Sequence, residues 1–259
     1  MQNELNVSII QGNLVWENPV QNRINFEQKI QSITQPTDLI VLPEMFTSGF
    51  TMSPENVAET MEGDTVTWLK ELAARKQAAI TGSLVIIEDD NYYNRLVFVR
   101  PNGDIETYDK RHTFTLAGED KVYTAGTKKI LIDYKGWKIC PLICYDLRFP
   151  VFARNTEDYD LLFYVANWPK PRIAAWDALL KARAIENMAY TIGVNRVGLD
   201  ASNHQYSGHS GVYDCLGNIL AEFDNDSEGI ATITLNKESQ NTIRKKLQFL
   251  GDRDQFTLV

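Results

Sequence analysis

The 259-residue chain has three cysteines and three histidines. An odd cysteine count cannot close into a complete disulfide framework, and three histidines with no metal-ligand spacing to those cysteines argue against a zinc site or other bound metal. The opening Met-Gln-Asn-Glu-Leu has neither a basic n-region nor an apolar signal core, so the expectation is a cytoplasmic protein with reduced thiols. No apolar run reaches the roughly 18 to 20 residues that span a bilayer, which argues against a membrane partner. Clustered basic residues are also scarce. A net charge of −8 and only short basic runs, Lys128-Lys129 and Arg244-Lys245-Lys246, speak against nucleic-acid binding, which rests on neutralising phosphates. Internal repeats, low-complexity stretches and Gly/Ser linkers are absent, so 1–259 reads as a single domain.

What remains is a chain 44% hydrophobic and 23% charged, ordinary for a globular protein with a sizeable core. Strand-like and helix-like segments alternate, which is the pattern of an α/β fold. Strands are predicted at 6–10, 39–42, 79–87, 93–99, 105–108, 130–134, 137–143, 161–166, 191–197, 209–213, 219–223 and 230–235. Helices are predicted at 19–33, 66–76 behind an Asp64 N-cap, 150–154 and 173–187. Turns at Asn102-Gly103 and Lys135-Gly136 join neighbouring strands as hairpins. The tail from Lys237 onward shows no core role.

Three polar residues each stand at the end of an apolar strand. Glu44 follows Ile40-Val41-Leu42-Pro43, Lys110 ends a hairpin arm, and Cys144 follows Ile139-Cys140-Pro141-Leu142-Ile143. Ligands of open α/β sheets bind outside strand ends, so such groups can converge there. A nucleophilic thiol needs a base or a positive field beside it, because a free thiol is largely protonated at neutral pH. Taken singly, each residue is equally at home as a turn, surface or buried structural residue. Cys140 and Cys215 read as inert buried cysteines. A Cys–His pair using His112 or His209 is the competing arrangement.

The sequences around these residues decide between the readings. Leu-Pro-Glu-Met-Phe-Thr-Ser-Gly-Phe at 42–50, Tyr-Asp-Lys-Arg-His at 108–112 and Leu-Ile-Cys-Tyr-Asp-Leu-Arg-Phe-Pro at 142–150 resemble the signature segments of the nitrilase superfamily of carbon–nitrogen hydrolases. Asn-Trp-Pro at 167–169, Ala-Arg-Ala-Ile-Glu-Asn at 182–187 and Gly-Val-Asn-Arg-Val-Gly at 193–198 resemble its omega-amidase branch. The resemblance runs from about Val7 to Leu235.

It implies an α-β-β-α sandwich with two mixed sheets, a homodimer, and no cofactor. It also implies hydrolysis of the terminal amide of a small 2-oxo acid monoamide such as 2-oxoglutaramate. Cys144 is then the nucleophile, Glu44 the general base and acid, and Glu119 a second carboxylate that orients them. Lys110 and the backbone N–H of Tyr145 are the expected oxyanion donors. A carboxylate-bearing substrate calls for a further cation, for which Arg172 is the candidate, with Phe46 and Trp168 as apolar walls. Asp146 and Arg148 are read as bracing the turn after Cys144, and Glu186 and Asn187 as holding neighbouring loops. Nitrile or N-carbamoyl hydrolysis on the same scaffold, or a non-catalytic binding protein, are the alternatives.

Overall fold

In the computed structural model, which describes residues 2–257, two six-stranded sheets face each other and helices cover their outer sides. The first sheet contains Glu4–Gln11 (β1), Leu39–Val41 (β2), Ala79–Glu88 (β3), Asn91–Val99 (β4), Ile105–Asp109 (β5) and Gly229–Asn236 (β14). Their order is β14-β1-β2-β3-β4-β5. The second contains Ile132–Tyr134 (β6), Trp137–Ile143 (β7), Leu161–Ala166 (β8), Tyr190–Asn195 (β9), Gly211–Tyr213 (β12) and Ile219–Glu222 (β13), in the order β13-β12-β9-β8-β7-β6. Each sheet is mixed: β1-β2-β3 and β7-β8-β9 run parallel, and hairpins extend them antiparallel.

Period-two alternation sorts the side chains between layers. Leu5, Val7 and Ile9 of β1, with Leu39 and Val41 of β2, face the second sheet and join its β7, β8 and β9 residues in one core. Ile10, Ile40, Ile80 and Val97 point the other way, against helices Pro19–Gln31 (α1) and Asp64–Lys76 (α2). Helix Ile173–Asn187 (α4) covers the second sheet through Trp176, Leu180 and Ala184. Gly193 on β9 is required by that contact, since a Cβ there would lie 2.3 Å from Leu180.

The structure corrects several sequence expectations. α1 ends at Gln31, and its buried face is Asn22, Phe26 and Ile30, while Val20 and Ile24 face outward. The N-cap of α2 is Gly63, with Asp64 the first helical residue. Helix α3, Pro150–Ala153, starts where expected and ends one residue early; it follows the 3-10 turn Cys144–Arg148. A short ribbon of Val197–Leu199 (β10) and Gln205–Ser207 (β11) was not foreseen.

Among the described residues the tail adds no apolar side chain to the core clusters, as expected, but it is fastened to the body of the fold. Lys237–Leu247 (α5) is N-capped by the Asn236 side chain, and it grips the chain between the second sheet and α4. Lys237 meets Asp160 at 2.7 Å, buried Gln240 donates to Asp160 O at 2.8 Å, and Arg244 donates to Met188 O and Tyr159 O at 2.8 and 2.6 Å. Apart from the Lys237–Asp160 ion pair, these are side-chain contacts to backbone carbonyls. An apolar periodicity does not announce them.

Candidate active site

Three strand ends from the two sheets meet in one place. β2 ends at Val41, and Leu42 N still donates to Thr81 O, so the chain stays beside β3 until it turns at Glu44. The turn is sharp: Met45 has φ 43° and takes a hydrogen bond from its own N–H to Ser83 Oγ at 2.9 Å. Lys110 extends β5, its N–H donating to Asn94 O at 3.0 Å. Cys144 ends β7 in the left-handed region, φ 41°, and opens the 3-10 turn Cys144–Arg148. Such a conformation is costly for a residue with a Cβ and persists only where the surroundings hold it.

The side chains form a buried cluster. Lys110 Nζ lies 2.9 Å from Glu44 Oε1 and 2.8 Å from Glu119 Oε2, and the lysine is 1% exposed while both carboxylates are fully buried. Asn94 Nδ2 bridges the two acids at 2.8 and 3.2 Å, and is itself fixed by Ser83 Oγ, 2.8 Å from Asn94 Oδ1. The remaining Glu44 oxygen accepts Asn167 N at 2.8 Å, and Glu119 accepts Phe114 N at 2.5 Å. Every oxygen of the two carboxylates is therefore bonded, as buried charge requires.

Burial works against the Lys110 ammonium, but Glu119 and Glu44 outweigh it and hold it well above its ordinary value. Burial raises Glu119, against the pull of Lys110. Burial also pushes the Cys144 thiol well above its ordinary value; the Glu44 carboxylate that it faces adds to this, and Lys110 opposes it. Burial thus favours the protonated form of the Cys144 thiol beside Glu44.

Cys144 and Lys110 lie at the bottom of a pocket of about 710 Å³ whose walls include Phe50, Phe114, Trp168, Arg148 and Arg172. Tyr145 lines it too, and as the second residue of a 3-10 turn its N–H has no partner within the turn. Among the described residues neither arginine meets a carboxylate. Arg148 instead lies 4.8 Å over the Trp168 ring and Arg172 5.1 Å over Phe114, so aromatic faces hold both guanidinium groups at the pocket.

Most of the residues singled out in the sequence thus come together: Glu44, Lys110, Glu119, Cys144 and Tyr145, with Trp168 and Arg172 on the wall. Phe46 does not. It is fully buried among Phe26, Trp68 and Gly82, because the turn at Met45 sends it beneath the first sheet. Arg148 proves to face the pocket rather than brace the turn; Asp146 does the bracing, accepting Ile143 N at 3.0 Å. Glu186 and Asn187 act at a distance: Glu186 pairs with Arg183, whose other nitrogen donates to Leu147 O, and Asn187 accepts Asn155 N.

Asn94 was missed. Its signal is a lone asparagine inside the apolar strand Tyr93–Val99, which a buried carboxylate explains. Asn167 was seen as part of a motif but given no role. His112, His204 and His209 pair with Asp146, Asp200 and Asp177 respectively. Among the described residues, no group of three or more His, Cys, Asp or Glu side chains is arranged to hold a metal ion.

Comparison with known proteins agrees with this geometry. The carbon-nitrogen hydrolase family profile matches residues 6–245. An omega-amidase, YafV of Yersinia enterocolitica, is 43% identical over 98% of this chain and 99% of its own length. A 2-oxoglutaramate amidase of Bacillus subtilis is 31% identical over 95% of this chain and 96% of its own. The crystal structure of XC1258 from Xanthomonas campestris, a CN-hydrolase superfamily protein with an arsenic adduct in its active site, superposes with a TM-score of 0.97 at 40% identity, covering both chains fully.

Proposed function

The chain belongs to the carbon–nitrogen hydrolase family, and we propose that it hydrolyses the terminal amide of a small 2-oxo acid monoamide, of the 2-oxoglutaramate kind, to the carboxylate and ammonia. The observation that carries this reading is the placement of the Cys144 thiol against a buried Glu44–Lys110–Glu119 cluster, on a pocket also lined by two guanidinium groups that meet no carboxylate among the described residues.

The chemistry follows from that placement. Glu44 takes the thiol proton as sulfur attacks the amide carbon, and the carbonyl oxygen becomes an oxyanion held by Lys110 Nζ and the Tyr145 N–H. Glu44 returns the proton to the departing nitrogen, ammonia leaves, and a thioester remains on Cys144. A water that gives its proton to Glu44 then attacks the thioester, releasing the carboxylic acid and restoring the thiol. Glu119 and Asn94 touch no reacting atom in this scheme. They keep Lys110 charged and Glu44 aimed.

The substrate carboxylate is read by Arg172 and Arg148, whose donors meet no carboxylate among the described residues and can bind it bidentately. Trp168 supplies the apolar wall between. The same reading places the protein in the cytoplasm, where its three free cysteines stay reduced, as one catalytic domain that pairs into a homodimer. No helix among the described residues is long and apolar enough to cross a membrane.

The test is ammonia release from a panel: a five-carbon 2-oxo acid monoamide, a neutral amide of similar size, a nitrile and an N-carbamoyl amino acid. The monoamide is expected to have the highest kcat/KM. Faster turnover of the nitrile or the carbamoyl compound would reassign the scaffold to that reaction.

A further inference from the structure

Asp146 is fully buried, and among the described residues no lysine or arginine pairs with it. Its carboxylate nevertheless accepts four hydrogen bonds. Oδ2 accepts Ile143 N at 3.0 Å and Tyr108 OH at 2.8 Å; Oδ1 accepts His112 N at 3.0 Å and lies 2.7 Å from His112 Nδ1. Tyr108 OH in turn accepts Arg111 N at 3.1 Å.

The partners fall into two groups. Ile143 immediately precedes Cys144, whereas Tyr108 and His112 lie two residues on either side of Lys110. One carboxylate therefore fastens the segment that carries the nucleophile to the segment that carries the buried cation. The bond to Ile143 also holds the backbone just before the left-handed Cys144, and with it the turn that presents the Tyr145 N–H. His112 is itself locked, stacked on Phe149 with ring centres 3.6 Å apart and edge-on to Phe152 at 5.2 Å. The clamp is thus rigid at both ends.

The geometry points to Asp146 as the positioning residue that sets the register between the Cys144 sulfur, the Tyr145 N–H and Lys110 Nζ, with Tyr108 and His112 as its anchors. This rests on the roles given above to Cys144 and Lys110. Asp146 touches no reacting atom; it acts on the distance between the attacking sulfur and the two oxyanion donors. A shift of that register is expensive, since a misplacement of about 1 Å at an oriented reacting pair costs on the order of 10²-fold.

A double-mutant cycle with Lys110→Met separates positioning from general damage. Asp146→Asn keeps the volume and replaces one acceptor oxygen by a donor, which must face either Ile143 N–H or His112 N–H. Alone it is expected to lower kcat roughly 10- to 10²-fold with KM changed less than about 3-fold, and Tyr108→Phe to act in the same direction by a smaller factor. In the Lys110→Met background, under single-turnover conditions, each should cost several-fold less than in wild type, because one of the two oxyanion donors whose position it sets is gone and only the sulfur–Tyr145 register remains to be disturbed.

Equal losses in both backgrounds, or a raised KM at unchanged kcat, would overturn the clamp while leaving the catalytic roles standing. Near-normal turnover of Lys110→Met itself would remove the oxyanion role of Lys110, and the clamp with it. Should Asp146→Asn fail to fold, Tyr108→Phe carries the same cycle, since the loss of one hydroxyl leaves three of the four bonds in place.

Discussion

Lys110→Met separates what the buried cation does for the fold from what it does for the reaction. The substitution keeps most of the side-chain volume and leaves Glu44 and Glu119, both fully buried, sharing only Asn94 and backbone donors. Breaking a buried ion pair by removing one partner costs about 3–5 kcal/mol, because the other charge stays buried uncompensated. At ~2–4 °C per kcal/mol for a chain of this size, the melting temperature should fall by roughly 6–20 °C at neutral pH.

The loss must depend on pH. Burial already raises Glu119, and the variant deletes the Lys110 charge that holds it down, so its folded pKa rises further above the unfolded one. A group raised in this way contributes its stability fully below the ordinary carboxylate value of 4.5, and that contribution is lost as pH climbs through the folded value. The deficit against wild type should therefore be small at acidic pH and widest toward pH ~8. Lys110→Met/Glu119→Gln removes one of the two acids and should recover most of the stability. Turnover should be down roughly 10²- to 10³-fold in both variants, since neither has the oxyanion cation. Calorimetry across pH and an ammonia assay on the same samples read both quantities. A deficit independent of pH, or a double variant that regains turnover, would refute the reasoning.

Two further outcomes are expected. Iodoacetamide should modify Cys144 before the other cysteines, because of the three it alone opens onto the pocket, whereas Cys140 and Cys215 are buried; peptide mapping that finds equal labelling in the folded protein would remove the basis for its role. Arg148→Met and Arg172→Met should each lower kcat/KM for the 2-oxo acid monoamide by a factor corresponding to about 2–5 kcal/mol, while a neutral amide of similar size keeps its rate. Equal losses on both substrates would mean that the arginine shapes the wall rather than reads the carboxylate.

The parts of the site that were legible in the sequence are those that a strand end positions. Glu44, Lys110 and Cys144 each follow an apolar run whose ladder fixes where the chain emerges, so strand pattern and motif together were enough. Phe46 shows where this fails. It lies two residues after Glu44, but the left-handed Met45 turns the chain under the sheet, where the missing Cβ of Gly82 leaves room for the ring; a Cβ there would stand 2.8 Å from Phe46 Cδ1. No local pattern encodes that turn. Asn94 owes its role to register, since the β3–β4 ladder pairs it with Val85 and so sets its side chain diagonally opposite Ser83, and Glu44 reaches it only across the folded sheet. The tail was illegible for a related reason: Gln240 and Arg244 hold backbone carbonyls, and their side chains look like solvent-facing ones until those carbonyls are in place.

On the proposed reading, catalysis and recognition use different cations, and the arrangement of charged groups gives a reason. Lys110 Nζ already lies 2.9 Å from Glu44 and 2.8 Å from Glu119, both fully buried. On that reading the rest of the ammonium's donor capacity goes to the oxyanion, which leaves none for the substrate carboxylate. The attraction must come from elsewhere. Arg148 and Arg172 meet the requirement by resting on Trp168 and Phe114 rather than on carboxylates, which orients them without neutralising them. An acid partner for either arginine would hold it as firmly but would spend its charge. The aromatic wall of the pocket is therefore as much a part of anion recognition as the guanidinium groups it carries.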